Sequence, residues 1–465
     1  MLSSTIERSV LSKLFWVFFA VIAAVFLGLV GSSMKLPVLA VILIFFATLS
    51  ISFVRGTDGL YLLIFATLFS PEISSGMTAS KSAGEGSSVV LRLEDIIMFA
   101  IVLGWILRSA YMGRHIGIVK TPVTPAIWVY ISASVIATLL GVLAGSVRYP
   151  LSALFHNLKY FEYFLLFFMI LAHVNKKEFL TRMIWAMLIV FFLGLIYGYT
   201  QIGRVGRVTA PFDEEPATFG GYIVLLMCIT GGIALSDSRV RVRSTMIFLL
   251  LFAIPPLLFT LSRASYLGLI VGLLAFLAVS QHRILIGSIS IALVAAMMLG
   301  LPLFPGTVQE RVARTFERES EVHVQVAGVD FDGSSSARIV SYEQAIKQWV
   351  KRPILGYGVT GTHFIDGQYV RLLAETGVIG FSAFMLIFLR LLRETLRIHR
   401  SAPDPFMKGL ALGFFCGTFA LLAHAVSANT FIIVRICEPY WLLAGLVLLI
   451  PKLESGQPTI ENVTS

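Results

Sequence analysis

The sequence predicts an all-α fold: a polytopic transmembrane helical bundle of about fourteen spans, within a range of twelve to fourteen, and one large extracytoplasmic loop. Three observations predict it. The 465 residues are 57% hydrophobic and only 13% charged, more apolar surface than a water-soluble core can hide. Mostly apolar runs of about 17 residues or more recur along the whole length, each long enough as a helix to cross roughly 30 Å of hydrocarbon. No segment shows the alternation of about ten residues that barrel strands carry.

In chain order the spans read as 14–31, 36–54, 59–72, 93–109, 124–146, 158–174, 180–199, 217–235, 244–261, 264–281, 284–304, 374–391, 407–427 and 430–450. The first run is too long for the core of a cleaved signal peptide and lacks a small-residue cleavage site, so it reads as a span. With a cytoplasmic N-terminus, the inside loops carry Arg55; Arg108, Arg114 and Lys120; Lys176, Lys177 and Arg182; Arg239, Arg241 and Arg243; Arg283; and Arg390, Arg393, Arg397 and Arg400. That is the positive-inside pattern, with both termini cytoplasmic. It also places the net charge of +10 in short membrane loops, which removes nucleic acid as the partner the charge would otherwise suggest. Cys228, Cys416 and Cys437 lie in or beside apolar segments with no metal-ligand spacing.

The chain divides accordingly into N-terminal helices (1–200), central helices (201–304), a large loop (305–373), C-terminal helices (374–451) and a cytoplasmic tail (452–465). Loops as long as 305–373 are usually functional or disordered. Its first half, including ERESEVHVQVAGVDFDGSSS, is polar and Gly/Ser-rich. In its second half Ile339, Tyr342, Ile346 and Trp349 recur at helical spacing before Pro353, which predicts an amphipathic helix near the membrane surface.

Cations that the positive-inside rule does not explain carry the functional information: Arg148, Arg204, Arg207, Arg263 and Arg338. Arg263 sits in FTLSRASYLGL between two spans with almost no loop, where a charge is costly without a partner or a wet cavity. A lone arginine there also snorkels to lipid phosphates, and Arg204 and Arg148 pair equally well with an acid or a headgroup. As a group, several guanidinium forks at one face suit an anion with two phosphates, hence a lipid-linked diphosphate. The segment HFIDGQYVRLLAETGVIGF adds groups for proton chemistry and sugar contacts: His363, Asp366, Gln368, Tyr369 and Glu375, with Tyr342 on the preceding helix. Asp366 or His363 can accept a hydrogen bond from a sugar hydroxyl, while Glu375 also reads as a buried partner for the following span. Lys159 with Glu162, and Arg435 with Glu438, are spaced for intrahelical ion pairs.

The ordered series TLSRASYLGL, large loop, ARIVSYEQAIKQWVKRPILGYGVTG and DGQYVRLLAETGVIGF resembles the O-antigen ligase and O-antigen polymerase (Wzy-type) superfamily, chiefly between Arg204 and Gly380. The resemblance implies a metal-independent, inverting, membrane-embedded glycosyltransferase of GT-C type in the bacterial inner membrane. It implies an undecaprenyl-diphosphate-linked glycan donor, no cofactor, and as further partners a chain-length regulator and a flippase. On this likeness Arg207 corresponds to the arginine before a GxF-type segment (here APFDEEPATF), Arg263 to that of an SRG-type motif, and Arg338 to the one that opens the loop helix. Ligases of the family carry a His-Asn pair ahead of the re-entrant aromatic. This chain has Asp366 and Gly367 before Gln368 and Tyr369, with His363 three residues too early. The difference favours a polymerase of lipid-linked repeat units over a ligase acting on lipid A-core or a protein hydroxyl. A lipid-linked oligosaccharide flippase is the alternative of another class, and the clustering of unexplained polar residues at one face argues against it.

Overall fold

A computed structural model describes residues 36–71, 92–112, 119–284, 286–288, 325–326, 329–330, 333–363 and 365–455. The expected first span, 14–31, nearly all of the eleventh, 284–304, and most of the first half of the large loop lie outside these residues.

The described chain is helical: α1 (Leu36–Arg55), α2 (Gly59–Phe69), α3 (Leu93–Tyr111), α4 (Thr124–Leu143), α5 (Pro150–His173), α6 (Lys177–Gln201), α7 (Pro216–Ser236), α8 (Val240–Phe259), α9 (Arg263–Val279), α10 (Gly333–Lys351), α11 (Gln368–Ser401), α12 (Pro405–His424) and α13 (Val434–Glu454). A two-residue antiparallel pair, Gln325–Val326 with Val329–Asp330, precedes α10. Among the described residues eight helices, α4 to α8 and α11 to α13, are long and apolar enough to cross a membrane. The protein is a polytopic helical membrane protein.

Three expected segments change shape. The third is only eleven residues, Gly59–Phe69, rising about 16 Å, half the hydrocarbon thickness. The sixth begins at Pro150 rather than 158, because its first turns pack on α4: Ala153 is buried, and Asn157 accepts from the Ser134 hydroxyl at 2.7 Å and donates to the Thr138 hydroxyl at 3.0 Å. The twelfth begins at Gln368 rather than 374 and kinks at Gly377 (φ 63°, ψ −166°). Only glycine fits there, since a Cβ would lie 2.3 Å from the Ile354 carbonyl oxygen.

The core centres on α7, which is buried nearly all round and lies against α12 at backbone contact. A Cβ on Gly232 would fall 2.3 Å from the Gly409 carbonyl oxygen, and one on Gly413 would fall 2.5 Å from that of Cys228. Gly409, Gly413 and Gly417 repeat every fourth residue, the small-residue stripe that lets membrane helices close on each other. Prolines shape α8. Pro256 has no N–H for the Phe252 carbonyl, and the Tyr199 hydroxyl of α6 donates to that oxygen instead at 3.1 Å.

The end of the bundle holding 144–149, 202–215, 260–263, 352–367 and 425–433 is termed outer, following the loop charges. At the opposite end Asp404 caps α12, accepting from the N–H groups of Phe406 (2.8 Å) and Met407 (3.0 Å), and binds Lys177 of α6 at 2.7 Å. Burial alone would raise its carboxyl, but these hydrogen bonds outweigh it and hold the group below the ordinary aspartate range.

Candidate active site at the outer end

The outer ends of α8 and α9 meet in a turn of three residues, Thr260 to Ser262. Ser262 caps α9, its hydroxyl accepting from the Ser265 N–H at 3.4 Å. Leu261 takes a left-handed backbone (φ 50°), unfavourable for a branched side chain. Arg207, reaching in from the α6–α7 connection, secures it: Nε donates to the Thr260 carbonyl at 3.1 Å and Nη2 to that of Leu261 at 3.3 Å. Arg263 is the next residue but one and opens α9, so both arginines stand at one turn, at the positive end of a helix dipole. Both are half-buried.

A second left-handed residue, Phe212 (φ 55°), lies in the same α6–α7 connection and is also held by an arginine. Arg435 of α13 donates from Nη2 to the carbonyls of Phe212 (3.0 Å) and Ser70 (3.1 Å), with Nη1 3.2 Å from Asp213 Oδ2. This corrects the expected Arg435–Glu438 pair. The two side chains leave α13 about 60° apart; Arg435 is taken by Asp213, and Glu438 is left with no hydrogen-bond partner. The Lys159–Glu162 pair is present at 3.1 Å.

From this turn a run of contacts leads round the outer end. Gly220 of α7 packs on the Ser265 side chain. His424, at the end of α12, lies 3.2 Å from the Ala217 carbonyl and 2.7 Å from the Thr430 hydroxyl. Gln368 is buried and spans the 425–431 turn, its N–H donating toward Ala425 and Ala428 and its Oε1 accepting from Phe431 at 3.0 Å. The Tyr342 hydroxyl of α10 lies 2.8 Å from the carbonyls of both Asp366 and Val426. Tyr369 donates to the Leu422 carbonyl.

The expected site residues thus separate. Arg207 and Arg263 share one turn, and Asp366 lies on the same rim beside Tyr342. Gln368 and Tyr369 spend their polar atoms on the fold. Glu375 is buried in an ion pair with Arg371 at 3.1 Å, and Arg371 also bonds the Tyr160 hydroxyl at 2.8 Å. His363 and Arg204 are exposed, and Arg148, also exposed, lies 5.6 Å over its neighbour Tyr149. Arg338 is in the first half of α10, and its side chain lies outside the described atoms. Arg371 and the structural role of Arg435 escaped the sequence reading. Their only signal was a cation inside an apolar stretch, which does not reveal the partner.

Residues 246–385, from α8 into the outer half of α11, match the family model described as O-antigen ligase. The match covers less than a third of the chain. The resemblance to the ligase and polymerase superfamily is borne out, and with it, at family level, an enzyme acting on lipid-linked sugars at a membrane. The matched domain contains Arg263, Arg338, Tyr342, His363, Asp366, Gln368, Tyr369 and Glu375, while Arg207 anchors its turn from outside. No curated protein matches the chain.

Proposed function

We propose that this protein is a polysaccharide polymerase that transfers glycan from an undecaprenyl-diphosphate-linked donor to a hydroxyl of a lipid-linked repeat unit at the outer face of the bacterial cytoplasmic membrane. The observation that carries the reading is the shared turn: Arg207 is bonded to the carbonyls of Thr260 and Leu261, directly before Arg263. Two guanidinium groups at a helix N-terminus suit a diphosphate, because planar forks and the helix dipole all attract phosphate oxygens.

In this reading the donor enters laterally from the bilayer and sets its diphosphate against Arg207 and Arg263, with Arg338 approaching from α10. The acceptor hydroxyl attacks the anomeric carbon from the opposite face. The new C–O bond forms as the bond to the diphosphate breaks, with inversion, and the hydroxyl proton leaves toward Asp366 or water. The arginines neutralise charge growing on the leaving diphosphate, which is the largest catalytic contribution. Since that leaving group is already activated, Asp366 serves mainly to orient the acceptor. Polymerase is preferred to ligase because Asp366 and Gly367 stand where the resemblance places a His-Asn pair.

The test is reconstitution of the purified protein in proteoliposomes with lipid-linked repeat units as the sole substrate. The wild type lengthens glycan. Arg263→Ala loses roughly 10²-fold or more in rate while remaining inserted, and Arg263→Lys recovers part of it. Normal product length and amount from Arg263→Ala would sink the diphosphate site. Transfer that begins only when lipid A-core is added makes the enzyme a ligase.

A further inference from the structure

Away from the arginine rim, the bundle buries a second set of charges that glycan transfer does not use. Glu94 and Asp95 come from the first turn of α3, Lys159 and Glu162 from α5, and Glu438 from α13. Lys159 is bonded to Asp95 and stands 3.1 Å from Glu162 Oε1. Arg92, before α3, stands 3.9 Å from Glu94 Oε1. Glu438 and Glu94 are wholly buried; neither carboxyl oxygen of Glu438 has a hydrogen-bond partner, and the neutral group beside Glu94 is the Ser70 hydroxyl, which accepts from the Glu94 N–H at 3.0 Å. The charged groups that bear most on Glu438 are Glu94, Glu162, Asp95 and the cation Lys159.

The charges do not balance. Four carboxylates (Glu94, Asp95, Glu162, Glu438) face two cations (Lys159, Arg92). Among the described residues no other cation can be borrowed from the elements around α13. Arg435 binds Asp213 and the Ser70 and Phe212 carbonyls, and Arg371 of α11 binds Glu375 and Tyr160. His424 of α12 is bonded to Thr430 and Ala217. The α2 and α7 helices carry no charged residue, and the charged residues of α6 lie at its opposite end. Tyr163 of α5 donates to Ile432, and Cys437 lies toward Thr430. An unpaired carboxylate in a medium without water is too costly to persist; it takes up a compensating cation or a proton. Among the described residues no three carboxylate, histidine or cysteine groups converge as metal ligands would.

We propose that Glu438 and Glu94 form a proton-binding site inside the bundle, framed by Asp95, Lys159 and Glu162. A proton turns an acceptor-only carboxylate into a neutral group that also donates, which removes the cost of the buried charge. Two protons bring the set to neutrality. Raising the pH withdraws them and drives the three helices apart.

Infrared spectroscopy of the full chain in lipid nanodiscs tests this. At neutral pH the wild type shows a protonated-carboxyl C=O stretch that fades as the pH is raised. Glu438→Gln loses part of that band, Glu94→Gln loses part, and the double variant loses both. The unfolding midpoint of the wild type falls between about pH 7 and 9 by more than that of Glu438→Gln. Should Glu438→Gln fail to fold, the wild-type band and Glu94→Gln decide the matter. Absence of the band, its survival in both variants, or a band and midpoint governed by sodium against choline at fixed pH rather than by pH, each overturns the proposal.

Discussion

At the scale of single residues, the outer end is built on arginines bonded to backbone carbonyls. Arg207 holds the left-handed Leu261 and Arg435 the left-handed Phe212, two conformations that cost free energy and need external support. Arg435 is wholly buried and pairs with Asp213 at 3.2 Å, so removing one partner strands the other charge. Arg435→Met is expected to lower stability by about 3–5 kcal/mol, read as a fall in the thermal unfolding midpoint of detergent-solubilised protein. Arg435→Met combined with Asp213→Leu recovers much of it, because two apolar groups leave no charge behind. A double variant no more stable than the single one would show that the carbonyl bonds, not the ion pair, carry the effect. Sequence reading found Arg207 and Arg263 because topology marked them as cations on the unexpected side. It missed the Arg435–Asp213 pair, because i, i+3 spacing with Glu438 was visible and contact with a loop 222 residues away was not.

At the scale of elements, spans were legible where one helix is one apolar run, and distorted where packing intervenes. The kink at Gly377 and the early start of α5 follow from contacts with the turn after α10 and with the middle of α4, which hydropathy along the chain does not show. The Asp404 cap shows an element end set by tertiary partners. It satisfies two α12 N–H groups and binds Lys177 of α6, and its carboxyl is held below the usual range. A depressed value in the folded state means the group stabilises the fold above the unfolded aspartate pKa of about 3.9, and that this stabilisation disappears as pH falls through the lower folded value. Asp404→Ala is therefore expected to cost about 1 kcal/mol at pH 7 and progressively less in acid. An equal loss at pH 7 and pH 3, measured by thermal unfolding, would assign the effect to packing instead.

At the scale of the whole molecule, the expected orientation places residues 202–215 outside and 237–240 inside. All three native cysteines are buried, so the background for labelling is low. A cysteine at Val205, which is exposed, is expected to react with a membrane-impermeant maleimide added to intact cells. One at Val240, also exposed, should react only after permeabilisation. The reverse pattern would invert the bundle and move the arginine turn to the cytoplasmic side, which the proposed donor chemistry does not survive. The buried charges bear on the same scale. Arg371–Glu375, Arg435–Asp213 and the Lys159 group lie towards the outer half, more ionisable residues than the hydropathy profile suggests.

The sequence by itself determined the membrane class, the course of most helices and the two arginines of the α8–α9 turn. In a bilayer each span must satisfy its own backbone hydrogen bonds, so hydropathy and loop charge are local properties that can be read in chain order. Only the tertiary structure decided which groups those charges meet. It paired Arg435 with Asp213 and left Glu438 among carboxylates, closed α12 on α7 through glycines, and turned Gln368 and Glu375 from candidate sugar contacts into supports of the fold. Partnership depends on which helices become neighbours, and that is settled by packing across the whole bundle rather than by spacing along the chain.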